Sequence, residues 1–289
     1  MSALSPHQVG ELLERHSIDV LLLGFPKAGT THLAQWLGES PGCEVSDPKE
    51  TFLLCPEFGR RVSRTDPFSG PDDLLRIEAT TLNVYSPAVR AAMEQNPTRK
   101  AILLVREPWE CVVSWHNQAR LAGVVGDVAL GEVWAASTGT SPVDERFVTD
   151  YRQMFDFGTH IAAWRAAIGD ERLLVVFNSE LGVGEQPWIE RFLGIGLGAE
   201  PTGRANSLHS ARFPGLYSKV RNTAWIRHAF AGSGPLRAVT GPVTAAAKRV
   251  LTRAETKDPA SEEIREALAP AWQDALVEAE ANRRYWRSR

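Results

Sequence analysis

Continuous apolar runs alternate with stretches of helical periodicity along most of this chain. The run that begins at Val20 ends at Gly24, and from Thr30 to Glu39 the apolar positions Leu33, Trp36 and Leu37 recur at three- and four-residue spacing. The first pattern predicts a buried strand and the second a helix with one inward face, stopped by Ser40-Pro41-Gly42. The alternation returns twice. Ala101-Ile102-Leu103-Leu104-Val105 leads into a helix carrying Cys111, Val112 and Val113, and Arg172 to Phe177 leads into Pro187 to Leu193, where Trp188, Ile189, Phe192 and Leu193 share a face. A short polar helix is expected over Pro6 to His16. Another is expected between Phe147 and Ile168 on Phe155, Ile161 and Trp164, with Gly158 interrupting the pattern. From Ser261 to Tyr285 the rhythm again favours helix, although Ile264 stands where a capping box needs Glu or Gln. Strands alternating with helices predict a three-layer, P-loop-like α/β domain spanning 1–289, with a central, mostly parallel sheet. Ligands are expected above the carboxyl ends of its strands.

The segment joining the first strand to its helix reads Gly24-Phe25-Pro26-Lys27-Ala28-Gly29-Thr30-Thr31. Gly29 permits backbone geometry that a side chain hinders, Pro26 stiffens the approach, and the two hydroxyls stand where amides converge at a helix start. Lys27 supplies positive charge. The triphosphate-binding order G-x-x-x-x-G-K-[ST] is different, because there the Lys follows the last Gly and is followed by a magnesium-binding hydroxyl. Here Lys27 precedes Gly29, which points to one phosphate at a helix start rather than a wrapped triphosphate with Mg²⁺.

A second anion site is expected after the strand ending at Val105. Arg106 at a strand end can pair with phosphate, and Ser114 can turn its hydroxyl to the same anion. Two carboxylates are candidates for proton transfer. Glu50, expected at a strand edge before Phe52-Leu53-Leu54, could take a hydroxyl proton while Lys49 supports an anion; taken alone, the pair reads more simply as a surface ion pair. Glu78 could contact substrate or orient other groups, and Thr80 and Thr81 suit either a site or helix capping. His160 reads as a packing residue rather than a metal ligand. Leu121 to Val148, with its GVVGD and STGTSP turns, is expected to be a substrate-side insertion.

Beyond about residue 200 turns, basic groups and aromatics mix, which suits a cofactor-facing lid over 204–237. Arg204, Lys219 and Arg221 are its anion-contact candidates, against a reading of these charges as solvated surface. Composition sets wider limits. A chain of 289 residues with 43% hydrophobic content can fill a large core, and 32 basic against 35 acidic residues, a net charge of -3, offer no general attraction to nucleic acid. Cys43, Cys55 and Cys111 form no metal-like or paired spacing, which favours a reducing compartment. The amino-terminal stretch lacks the apolar core of a secretion signal, and no run of about 18 apolar residues occurs. A soluble, cytoplasmic protein without a transmembrane segment is expected.

Taken together, these motifs resemble the sulfotransferases that use 3′-phosphoadenosine 5′-phosphosulfate. Pro26 to Thr31 is similar to the family's P-K-[SA]-G-T-[ST] loop for the 5′-phosphosulfate, and Arg106, Pro108 and Ser114 to its 3′-phosphate motif, with the eight-position separation of Arg and Ser. Pro48-Lys49-Glu50 resembles the P-K-E segment of bacterial and glycan-type members, in which the Glu is the base, and Phe52 follows one residue later. The likeness runs from Asp19 to about Gly194. It implies that Lys27, Ala28, Gly29, Thr30 and Thr31 hold the sulfuryl end, that Arg106 and Ser114 hold the 3′-phosphate, and that Arg204 adds a contact. Catalysis would fall to Lys27 and Glu50, with His32, Lys49 and Glu78 as substrate-side candidates. The chain departs from the aryl and steroid branch. His32 stands where those proteins often have Trp, and their Lys-Thr-His segment and R-K-G-x-x-G-D-W-K element are not evident.

The implied reaction is direct sulfuryl transfer to a hydroxyl of a small molecule, glycan or lipid, without a catalytic metal. Two other classes stay open. A kinase or nucleotide hydrolase could share the strand-loop-helix start, and a noncatalytic nucleotide-binding module could share both anion motifs. Oligomeric state is not read from the sequence.

Overall fold

The computed structural model describes residues 2–58, 66–142, 147–181, 184–200, 210–211, 252–253 and 261–288. Strands β1 (Val20–Gly24), β2 (Cys43–Val45), β3 (Leu75–Glu78), β4 (Lys100–Val105) and β5 (Leu173–Phe177) form one sheet in the order β2-β3-β1-β4-β5. Every pairing in it is parallel. β1 and β5 are buried at every position, as is β4 beyond Lys100. Such strands are apolar throughout because both faces of a parallel sheet are covered.

The covering helices are α1 (Pro6–Arg15), α2 (Thr30–Glu39), α3 (Pro87–Gln95), α4 (Pro108–Ala122), α5 (Leu130–Ala136), α6 (Tyr151–Met154), α7 (Phe157–Ile168), α8 (Gln186–Leu193) and α9 (Ser261–Arg287). α1, α3, α7 and α9 pack successively on one another, while α2 lies over β1 and β2. The stretch after α8 returns to α2, where the Trp36 indole donates to the Gly198 carbonyl at 2.7 Å.

The break between α6 and α7 has a local cause. Asp156 caps the new helix by accepting from the Thr159 amide, and Gly158 then lies where α9 crosses. A Cβ on Gly158 would sit 2.6 Å from Asp274 Cβ, so the glycine permits helix contact rather than ending a helix. α9 also closes the sheet. Fully buried Asn282 accepts from the Val175 amide at 2.9 Å and donates to the Leu173 carbonyl at 2.8 Å, satisfying backbone groups of edge strand β5.

Two further short strands, β6 (Ser210–Ala211) and β7 (Thr252–Arg253), pair antiparallel, and β6 lies against α4. Arg204, Lys219 and Arg221 lie outside the described residues, as does most of the lid span 204–237. Among the described residues no helix is long and apolar enough to cross a membrane.

Candidate active site

From β1 the sheet extends to β3 and β2 on one side and to β4 and β5 on the other, with Gly24 opposite Leu104 at the centre. The carboxyl ends of β1 and β4 therefore flank the point where the strand order reverses, the usual ligand crevice of open α/β sheets. The loop at 25–29 leaves β1 there, and Arg106 leaves β4 beside it.

The loop is held in an unusual backbone state. Lys27 has φ of 72° and Gly29 of 103°, so left-handed residues flank buried Ala28. For Lys27 this conformation costs roughly 1–2 kcal/mol, a strain that tends to persist at ligand sites. Gly29 is constrained twice, because a Cβ there would also collide with the side-chain amide of Asn178, just beyond β5. The Gly29 carbonyl takes the first helical bonds, from the His32 and Leu33 amides, which leaves the Thr30 and Thr31 amides ahead of the ladder at the helix N-terminus. Beneath the loop, Phe25 stacks on Phe157 with ring centroids 3.6 Å apart.

The two anion motifs adjoin. Arg106 donates through Nη1 to the Lys27 carbonyl at 3.3 Å, and Lys27 Nζ donates to Gln118 Oε1 on α4 at 3.1 Å. Arg106 also pairs with Glu110 at 2.6 Å. Glu110, Ser114 and Gln118 follow at four-residue intervals on one face of α4, so Ser114 sits between the partner of Arg106 and the partner of Lys27. Among the described residues the Ser114 hydroxyl makes no hydrogen bond.

Glu50 does not lie on a strand edge. It occupies a loop five positions beyond Val45, where Pro48 cannot supply a ladder amide and Phe52 adopts a positive φ of 53°. Its carboxylate accepts from Lys49 Nζ at 2.6 Å, from the Thr81 amide at 2.9 Å and from the Thr81 hydroxyl at 2.9 Å. Lys49 donates also to the Ala79 carbonyl at 3.0 Å. The Thr81 hydroxyl lies 3.1 Å from that of Thr30, so one oxygen joins the loop-and-helix junction to Glu50.

Glu78 lies behind the turn that carries Thr81, in the interior. It is 0% exposed, and its carboxylate accepts from Thr51 Oγ1 at 2.6 Å, Thr80 Oγ1 at 2.5 Å, the Thr80 amide at 3.2 Å and Asn83 Nδ2 at 2.5 Å. Burial pushes its pKa up against these hydrogen bonds, which pull it down. This carboxyl shapes the turn at 79–83 from behind, while Glu50, with its side chain 39% exposed, stands in front. His32 is tied to Glu200 at 2.7 Å. His160 packs against Tyr85 and bonds to the Gln153 carbonyl, and burial lowers its pKa.

Gln118 and Asn178 are the neighbours of the loop that the sequence did not point to, and Thr81, open there between a site and a cap, bonds to Glu50. The four-residue register from Glu110 through Gln118 was a usable signal, as was the position of Asn178 at a strand's carboxyl end. Among the described residues no group of three or more His, Cys, Asp or Glu side chains is placed to hold a metal ion.

Comparison with solved structures decides the architecture. A sulfotransferase from Alicyclobacillus acidocaldarius aligns at TM-score 0.54 and 16% identity, over 80% of this chain and 98% of its own. The two share a fold. The mouse sulfotransferase SULT7A1 complexed with PAP aligns at TM-score 0.48 and 17% identity, over 99% of this chain and 95% of its own, a score too low to add weight. No protein-family model matches the sequence, and no curated protein matches it. The fold agrees with the resemblance read from Pro26 to Thr31 and from Arg106 to Ser114.

Proposed function

We propose that this protein transfers a sulfuryl group from 3′-phosphoadenosine 5′-phosphosulfate to a hydroxyl of a small molecule, glycan or lipid. The observation that carries this reading is the joining of the two anion motifs, with the Arg106 guanidinium on the Lys27 carbonyl at 3.3 Å. A nucleotide with a phosphate at each of two ribose positions needs two adjacent cationic sites, and a mononucleotide with one phosphate needs only the loop. The residues present fit such a donor. Loop amides, Lys27 and the Thr30 and Thr31 hydroxyls would hold the sulfuryl-bearing end, and Arg106 with Ser114 the 3′-phosphate. When bound, the donor supplies an electrophilic sulfur whose bond to the 5′-phosphate oxygen breaks as the acceptor oxygen attacks.

The chain's own residues have distinct parts in that step. Glu50 accepts the acceptor's hydroxyl proton on a carboxylate oxygen, and Lys27 stabilises charge on the departing 5′-phosphate. Lys49 holds Glu50 in place through its 2.6 Å ion pair. Glu78 supports the turn that carries Thr81 and takes no proton from substrate. Single-turnover kinetics separate these parts. Glu50→Gln is expected to slow transfer by about 10²- to 10⁴-fold without weakening donor binding. Slowing by Glu78→Gln in a fully folded sample, with Glu50→Gln reacting normally, would reverse the assignment.

A further inference from the structure

The hydroxyl of Thr81 lies at the meeting point of the two halves of the site. It is 3.1 Å from Thr30 Oγ1, 2.9 Å from Glu50 Oε1 and 3.3 Å from Lys49 Nζ, and Thr81 and Thr30 are 7% and 5% exposed. A threonine hydroxyl has one proton to give and two lone pairs to fill. Lys49 can only donate and an ionised Glu50 can only accept, so these neighbours fix the direction of the chain. In the described arrangement Thr30 donates to Thr81, and Thr81 donates to Glu50.

An anion in the loop changes the first link. Thr30 stands at the start of α2, where its hydroxyl can turn to a phosphate oxygen, a stronger acceptor than a neutral hydroxyl. Thr30 then offers a lone pair instead of a proton. We propose that Thr81 is a positioning residue that relays donor binding to the base: its proton swings from Glu50 Oε1 to Thr30 Oγ1, removing one of the hydrogen bonds that satisfy Glu50 and making the carboxylate a stronger acceptor for the substrate's proton. Only hydroxyl rotations are involved, and each of the two protons keeps its oxygen. The relay rests on the sulfuryl-transfer reading and adds an order to it, with the donor bound before the acceptor's proton is taken. The backbone amide of Thr81 continues to hold Glu50 Oε2 throughout, at 2.9 Å, so the carboxylate stays in place while its other oxygen loses one donor.

The relay makes a prediction about binding alone. Loading the loop exchanges a hydrogen bond to a carboxylate for one to a neutral oxygen, so an ionised Glu50 opposes donor binding through Thr81. Glu50→Gln should therefore tighten binding of adenosine 3′,5′-bisphosphate by calorimetry. Part of that gain is simple relief of charge repulsion and does not depend on Thr81. A double-mutant cycle isolates the rest. The effect of Glu50→Gln is expected to be about fivefold or more larger in the native background than in Thr81→Val, with Thr81→Ser restoring the native coupling. Equal effects in both backgrounds, within about twofold, would overturn the relay while leaving nucleotide binding and sulfuryl transfer intact. Failure of the native protein to bind the bisphosphate would overturn both. If Thr81→Val does not fold, Thr81→Ala serves the same arm of the cycle.

Discussion

Replacing Arg106 with Ala tests the second anion site, and the structure sets the size of the effect. The guanidinium is 32% exposed and paired with Glu110, four residues further along the chain. Charge-assisted hydrogen bonds to a phosphate are worth about 1.5–3 kcal/mol. Taking Arg106 from Glu110 costs only the modest value of a partly exposed ion pair, roughly 0.3–0.5 kcal/mol. The net loss in Arg106→Ala is then about 1–2.5 kcal/mol, or roughly five- to seventyfold in Kd. Calorimetry should show this loss with adenosine 3′,5′-bisphosphate and little of it with adenosine 5′-phosphate, which lacks the 3′ group. Glu110→Gln should act in the opposite direction and tighten the bisphosphate, because it frees the guanidinium beforehand. Equal losses for both nucleotides in Arg106→Ala, or weaker bisphosphate binding in Glu110→Gln, would refute the assignment.

Two further perturbations probe the scaffold. Gly158→Val should destabilise the fold by about 1–3 kcal/mol through overpacking against Asp274 and Ala275, lowering the thermal midpoint by several degrees; an unchanged midpoint would mean that α7 and α9 do not approach so closely. Glu185 is 1% exposed, and burial, reinforced by neighbouring Glu180, pushes its pKa up to about 8. A carboxyl raised on folding binds its proton more tightly in the native state, so its contribution is full below the ordinary carboxylate range and is lost as pH rises to about 8. Melting curves across that window should fall more steeply for the native protein than for Glu185→Gln, and parallel slopes would contradict the shift.

The elements with continuous apolar runs were legible because burial on both faces leaves little choice of residue. β1, β4 and β5 with the helices that follow them are of this kind, and the bounds of α2 were read as Thr30–Glu39. β3 was harder, having four residues that end in a buried carboxylate. Glu50 and Glu78 look alike as letters. What separates them is distant in sequence, since Thr51 reaches Glu78 across 27 positions and Thr81 reaches Glu50 across 31. The adjacency of the two anion motifs was hidden for the same reason, because the place of β4 beside β1 is a property of strand order and not of local pattern. Gly158 was read as an interruption of a helix when it is a point of helix contact, a distinction that only the packing partner supplies.

The central claim is tested most directly by turnover of 3′-phosphoadenosine 5′-phosphosulfate labelled in its sulfuryl group, incubated with the protein and a panel of hydroxyl compounds in the presence of a chelator. Labelled sulfate ester should form together with an equal amount of adenosine 3′,5′-bisphosphate, and Lys27→Ala should suppress both products even at saturating donor. Nucleotide binding without any labelled ester across the panel, or transfer of a γ-phosphoryl group from ATP that depends on added Mg²⁺, would contradict it.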